Sequence, residues 1–212
     1  AYGRLKNALR GEGIIGDLCQ VHCVCGGGQL ACNGSHFFDL MRFLSDSEPA
    51  SVIGFIDKRG TPNPRGRQFI DPGAFGLVQF RNGMRGFVDM FEDLGIPPRI
   101  EIIGSIGRVV IDESRDHWLI ESREGKDRLE PLGRYDLPLN SRPLPTDPLD
   151  PIRLLERTIR EIMRAEHISC TGLDGLADLQ MIMGFHASDQ EGNIPLSLPL
   201  PSRYDKIVMN FT

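Results

Sequence analysis

Phe75-Gly76-Leu77-Val78-Gln79-Phe80-Arg81-Asn82-Gly83-Met84-Arg85-Gly86-Phe87-Val88-Asp89-Met90 is the stretch that decides the fold. It holds two strand-like runs on either side of Asn-Gly. That dipeptide accepts the positive φ angles of a tight hairpin turn, so residues 75–81 and 84–90 are predicted to pair antiparallel. Downstream, residues 99–104 and 108–112 flank a second tight turn, Gly104-Ser105-Ile106-Gly107, and 118–122 reads as a further strand. Connections this short favour antiparallel pairing, because parallel strands need long crossovers.

Working back toward the start, residues 4–10 read as the end of a helix stopped by Gly11 and Gly13. Residues 17–25 then alternate as a half-buried strand does: Cys19, Val21, Cys23 and Cys25 share one face, Gln20 and His22 the other. Gly26-Gly27-Gly28 breaks that strand. A helix is predicted over 35–44, where Phe37, Leu40, Met41 and Leu44 form one apolar stripe and Ser35 or Asn33 is the expected N-cap. Residues 51–57 are a strand and 61–67, with Pro62 and Pro64, a loop. Prolines at 131, 138, 143, 145, 148 and 151 mark 131–151 as a surface excursion. Helices over 151–166 and 173–188 and a strand within 194–200 complete the chain. The expectation is a single α+β domain over residues 1–212: a mostly antiparallel open sheet with helices packed on one face.

The 212 residues are enough for one substantial core. A net charge of −5, with no run of basic residues, argues against nucleic acid as a partner. No apolar stretch reaches the roughly 18 residues that span a bilayer, so no membrane partner is expected. Five cysteines, an odd number, fit a reducing compartment, and a cytoplasmic protein is expected.

Three motifs compete for a functional role. Gly26-Gly27-Gly28-Gln29-Leu30-Ala31 satisfies G-x-G-x-x-A between a strand and a helix. The preceding strand, however, alternates polar and apolar, and hairpins follow instead of a second βα unit, so no cofactor-binding residue is assigned in this chain. Cys19, His22, Cys23, Cys25 and Cys32 are crowded, but three of the cysteines share the apolar strand face and His22 points away, so no metal site is assigned. The third motif is Asn33-Gly34-Ser35-His36-Phe37-Phe38-Asp39. Here His36 falls in the predicted first helical turn, where a neutral imidazole can accept a proton from an alcohol. Asp39, three residues on, shares its face and could orient the ring. The plainer alternative is a packing histidine, with Asp39 paired to Arg42.

Gly34-x-His36-x-x-Asp39-Leu40, preceded by a strand and a glycine-rich loop, resembles the glucose–fructose oxidoreductase, inositol dehydrogenase and rhizopine-catabolism (Gfo/Idh/MocA) family. The resemblance continues in order through residues 10–17, Asp71-Pro72-Gly73-Ala74 to Asn82-Gly83, residues 100–107, and Asp174-Gly175 through residues 186–199. It implies a dihydrodipicolinate-reductase-like C-terminal domain whose parent carries a nucleotide-binding domain for NAD or NADP outside these residues. His36 would be the catalytic histidine. The family often has Asp four residues before it, where this chain has Cys32, so Asn33 or Asp39 would take that part.

The parent is then expected to be an NAD(P)-dependent oxidoreductase acting on a CH–OH group of a sugar, nucleotide-sugar or cyclitol, with this chain alone inactive. His22, Gln20 and Arg67 are the candidates for binding a small polyhydroxylated substrate. Apolar residues expected on both sheet faces suggest a homodimer or homotetramer packed through the sheet. Two rival readings are a non-catalytic assembly module and a catalytically retired homologue.

Overall fold

A computed structural model describes residues 1–60, 62–145, 150–164 and 168–209. Helix α1 (Tyr2–Asn7) runs into one wide π-type turn, Ala8–Glu12, and stops where Gly13 takes a left-handed φ of 56°. Then follow β1 (Leu18–Val24), α2 (Cys32–Ser45), β2 (Pro49–Ile56), β3 (Ala74–Phe80) and β4 (Arg85–Asp89). Next come β5 (Arg99–Gly104), β6 (Gly107–Asp112), β7 (His117–Ser122) and β8 (Asn140–Pro143). Helices α3 (Pro151–Arg164) and α4 (Gly172–Gln190) precede the short β9 (Leu196–Ser197).

The strands form one open sheet in the order β8-β7-β6-β5-β1-β4-β3-β2-β9. Every pairing is antiparallel except β1 with β4, which is parallel. The parallel pair arises because the chain leaves β1 through α2 and returns beside it only after the β2–β3 turnback. The Asn82-Gly83 hairpin is present. Gly83 has φ 90°, Asn82 Oδ1 accepts from the Met84 amide at 3.1 Å, and Leu77 pairs with Phe87 across it.

Alternation along the strands separates two faces. Val21, Cys23, Val52, Val78, Val88, Ile100, Ile102 and Val109 are buried on the side that α2 and α4 cover. On α2 the expected stripe of Phe37, Leu40, Met41 and Leu44 is buried, joined by Phe38, whose ring meets Phe185 of α4 at 5.4 Å. Gly54 lies directly beneath Phe185, where a β-carbon would come within 2.6 Å of that residue's backbone. Cys23 and Cys25 are buried, and burial pushes both thiols up. They behave as small apolar side chains in the core.

Two expectations need correction. Helix α3 does not cover the sheet: all its side chains are exposed except the half-buried Glu161, and Ile152, Leu155, Ile159 and Ile162 face outward. Periodicity reveals that a helix is amphipathic, not which surface its stripe meets. The proline-rich excursion is also more ordered than a bare arm, since residues 140–143 pair with β7 as an edge strand. Proline is tolerated at a sheet edge, where one row of amides has no partner to lose. Residues 146–149 of the excursion and 165–166 of the expected helix lie outside the described residues.

Glycine is structurally required where three chain segments cross. A β-carbon on Gly26 would overlap the Leu94 carbonyl, and one on Gly73 would overlap that of Met90. Gly26→Ala should therefore cost more than about 2 kcal/mol of stability, whereas Gly3→Ala, in open space on α1, should be neutral or slightly stabilising. Urea denaturation of the two variants checks the contrast.

Candidate active site at the start of helix α2

Helix α2 begins at Cys32, three residues earlier than the sequence pattern suggested, and Ala31 at its N-cap supplies no side-chain hydrogen bond. Neither Asn33 nor Ser35 is the cap. Ser35 Oγ donates back to the Cys32 carbonyl at 2.9 Å, and Asn33 Nδ2 donates to the Gly28 carbonyl at 3.1 Å. The cap comes from far along the chain. Asp71, buried at 6% exposure, accepts from the Ala31 amide through Oδ1 at 2.7 Å and from the Cys32 amide through Oδ2 at 3.0 Å. The Leu30 amide donates to the neighbouring Pro72 carbonyl at 2.9 Å. Burial pushes the Asp71 carboxyl up, and the two amides draw it back down.

This arrangement decides the glycine-rich loop. In a dinucleotide fold the free amides at a helix start receive the pyrophosphate. Here the protein's own carboxylate holds two of them. The glycines serve the crossing: Gly26 donates to the Ile96 carbonyl at 2.9 Å, and a β-carbon on Gly28 would lie 3.1 Å from the Gly73 nitrogen and 2.9 Å from Glu92 Cγ. The loop does not fit a nucleotide.

His36 is exposed in the second turn of α2 rather than the first. With Asp39, Tyr2, Ile100 and Glu113 it lines a cavity of about 280 Å³. Tyr2 donates its phenol proton to Glu113 Oε1 at 2.5 Å, and burial, reinforced by Glu113, holds that phenol well above its usual range. Asp39 is half-buried. Its carboxyl is pushed up by burial and by Asp174, against smaller downward pulls from Arg42 and His36. Arg42 donates to Asp174 at 3.1 Å and to Glu48 at 2.8 Å, so its charge is shared with those carboxylates. The α2–α4 interface also buries Asp178, at 7% exposure. Burial and then the nearby Asp39 push its carboxyl to about 7.

The structure brings His36 and Asp39 to one cavity and places Asn33 one turn before them. It does not bring Gln20 and His22 there. Both lie on the open sheet face, opposite the one covered by α2, because β1 alternates and Val21 and Cys23 face the helix. The Gln20 side chain is 2.8 Å from His22 Nε2, and His22 packs edge-on to Phe87 at 4.6 Å. The polar face of β1 is the one turned away from α2. Arg67 lines a different cavity, together with Asp71 and Glu92. Tyr2, Glu113 and the capping role of Asp71 escaped the sequence reading. Only Asp71 carried a signal, its place before Pro-Gly. Among the described residues, no three His, Cys, Asp or Glu side chains converge as a metal site. No described helix is long and apolar enough to cross a membrane.

An open, largely antiparallel sheet backed by helices, with a histidine-bearing helix emerging from a glycine crossing, is the fold of Gfo/Idh/MocA-type C-terminal domains. Residues 22–110 match the GFO/IDH/MocA C-terminal domain family model. No curated protein sequence matches it. Among solved structures, levoglucosan dehydrogenase in complex with NADH and levoglucosan aligns with TM-score 0.72 and 18% identity over 93% of this chain and 63% of its own. An oxidoreductase domain protein from Kribbella flavida gives 0.70 and 19% over 93% and 63%. Aldose–aldose oxidoreductase from Caulobacter crescentus, complexed with glycerol, gives 0.68 and 18% over 93% and 61%. At these identities the likeness is one of fold, and the chain spans about three fifths of the length of these structures.

Two buried groups should give opposite pH dependence. Asp178 titrates at about 7 when folded against an ordinary 3.8, so its contribution falls as pH rises across that interval. Burial holds His186 at about 4 instead of 6.5, so its contribution rises with pH between those values. Asp178→Asn removes the first slope alone. Relative to wild type it should gain on the order of 4 kcal/mol between about pH 4 and 7 and then level off. Urea midpoints at pH 5 and 7.5 for both proteins check this.

Proposed function

We propose that this chain is the substrate-facing domain of an NAD(P)-dependent oxidoreductase that acts on a CH–OH group of a sugar, nucleotide-sugar or cyclitol. The observation that carries the reading is His36, exposed on α2 beside the half-buried Asp39, in a segment that matches the GFO/IDH/MocA C-terminal domain. The levoglucosan and glycerol bound by the two similar structures support a polyhydroxylated ligand. The nicotinamide, which would accept or return hydride, would sit on a nucleotide-binding domain outside these residues, since the Gly26–Ala31 loop does not fit it.

What this chain contributes is the proton acceptor. His36 would take the hydroxyl proton from the substrate as a general base. Asp39, one turn on, would favour the charged ring that results, as a nearby carboxylate does. Cys32 supplies no comparable charge, so Asp39 is the carboxylate partner. In the parent protein, His36→Ala should lower kcat about 10²–10⁴-fold. Cofactor affinity should be unchanged. Steady-state kinetics and cofactor titration separate the two, and turnover preserved within a few-fold would make His36 structural and favour the retired-homologue reading.

The same chain would assemble through its open sheet face. Ile53, Phe55, Phe75, Leu77 and Phe87 form an apolar patch there, with Phe55 and Phe75 stacked at 4.4 Å. Packing against a second copy would remove this patch from water. Sedimentation equilibrium at micromolar concentration should give at least a dimer, and Leu77→Asp should shift it toward 23.6 kDa.

A further inference from the structure

Strand β1 runs through the middle of the sheet, with four strands on either side of it. The strand registers set Leu77, Phe87, His22, Glu101, Val110 and Leu119 side by side in one row across the open face. His22 and Glu101 are the two titratable members of this otherwise apolar row. His22 also lines a cavity of about 400 Å³ together with Phe55, Phe75 and Phe87. Any second copy that covers the aromatic patch therefore covers His22 with it.

A hydrogen-bond relay sets the charge state of His22. Arg85 of β4 carries only donors, and its Nη2 and Nη1 lie 2.7 and 3.3 Å from one end of the Gln20 side-chain amide. That end is therefore the amide oxygen. The other end, 2.8 Å from His22 Nε2, is the amide nitrogen, and it donates. His22 Nε2 must accept, which leaves the ring proton on Nδ1 and the imidazole neutral. A proton on Nε2 would set two donors against each other. Turning the Gln20 amide to relieve that clash would set its nitrogen against Arg85 instead. The charged groups around the ring come from both neighbouring strands: Arg85 and Asp89 from β4, Glu101 and Arg99 from β5. Glu101 is itself bonded to Arg108 of β6 at 2.7 Å. Burial holds the His22 ring below its ordinary range, Glu101 pulls it up, and Arg85 pushes it down.

We infer that His22 makes assembly through the open sheet face proton-dependent: two copies pair with His22 neutral, and acid takes the pair apart. The inference rests on the proposed assembly and adds what controls it. A second copy suits this surface because its charges balance. Arg85, Arg99 and Arg108 stand against Asp89, Glu101 and Glu121, so the same face turned about a two-fold axis can set opposite charges together. Covering His22 with a partner's apolar side chains removes the water that an imidazolium needs, so pairing lowers the proton affinity of the ring further. Pairing is then strongest above the titration range of His22 and weakens as pH falls through it. Each pair covers two such rings, so the effect counts twice.

Sedimentation equilibrium of this chain at about pH 8 and about pH 5 is the test, and the dissociation constant should rise about tenfold or more at the lower pH. His22→Gln keeps an acceptor toward Gln20 and does not titrate, so it should pair equally at both pH values. Any general effect of acid on the fold would persist in that variant. Gln20→Glu gives Arg85 and His22 a common carboxylate, which favours the imidazolium. The pH at which the pair comes apart should then move up by about one unit or more. In ¹⁵N NMR of the wild-type imidazole at neutral pH, Nδ1 should carry the proton. Pairing that is equally tight at both pH values overturns the proton dependence and leaves the assembly standing. A mass near 23.6 kDa at both overturns the assembly and the inference together. A ring protonated on Nε2, or acid dissociation that His22→Gln retains, overturns the role of His22 alone.

Discussion

The Asp71 carboxylate on the Ala31 and Cys32 amides is the contact on which the rest of this architecture depends. Helix α2 has no cap of its own, and a buried helix start with unpaired amides is unfavourable. Asp71 supplies the cap from forty residues away and so ties the end of the β2–β3 loop to the start of α2. The backbone crossing at Gly26, Gly28 and Gly73 brings the two segments within reach. Position and orientation of everything on the first turns of α2, including Asn33 and His36, follow from that anchor. A charge-assisted cap of this kind is also anion recognition turned inward: the place where a nucleotide phosphate would bind in a dinucleotide fold holds a side chain instead.

A second constraint is strand alternation. In β1 the apolar positions face α2, which leaves Gln20 and His22 on the opposite surface. That surface is divided. Around β3 and β4 it is aromatic. Toward β5, β6 and β7 it is charged, with Arg108 bonded to Glu101 at 2.7 Å and to Glu121 at 2.5 Å. The domain therefore has two working regions that do not compete: the loop end of α2, where titratable groups gather, and the open sheet face, where apolar area awaits cover. The proposed substrate binding and the proposed assembly would therefore be separable by substitution.

The carboxylates between α2 and α4 form a further layer. Arg42 is shared between Asp174 and Glu48, while Asp39 and the more deeply buried Asp178 sit within electrostatic reach of one another. Burial pushes both carboxyls up, and the charge of Asp174 adds to each shift. The electrostatics of Asp39 are thus coupled to the packing of α4 behind it.

By itself the sequence determined the local elements and their class. The Asn82-Gly83 turn, the alternation in β1 and the stripe on α2 are written in neighbouring residues, because hairpin geometry and helical or strand periodicity act over a few positions. The ordered motifs also pointed to the fold that the family model matches over residues 22–110. Only the tertiary structure decided where α2 begins, which face of β1 meets it, that α3 stands away from the sheet, and that Asp71, Tyr2 and Glu113 belong with the site. Those outcomes rest on contacts between residues forty to more than a hundred positions apart, such as Asp71 with Ala31 and Glu113 with Tyr2. Periodicity says that a face is buried but not against what. The partner is chosen by packing and hydrogen-bond satisfaction over the whole chain.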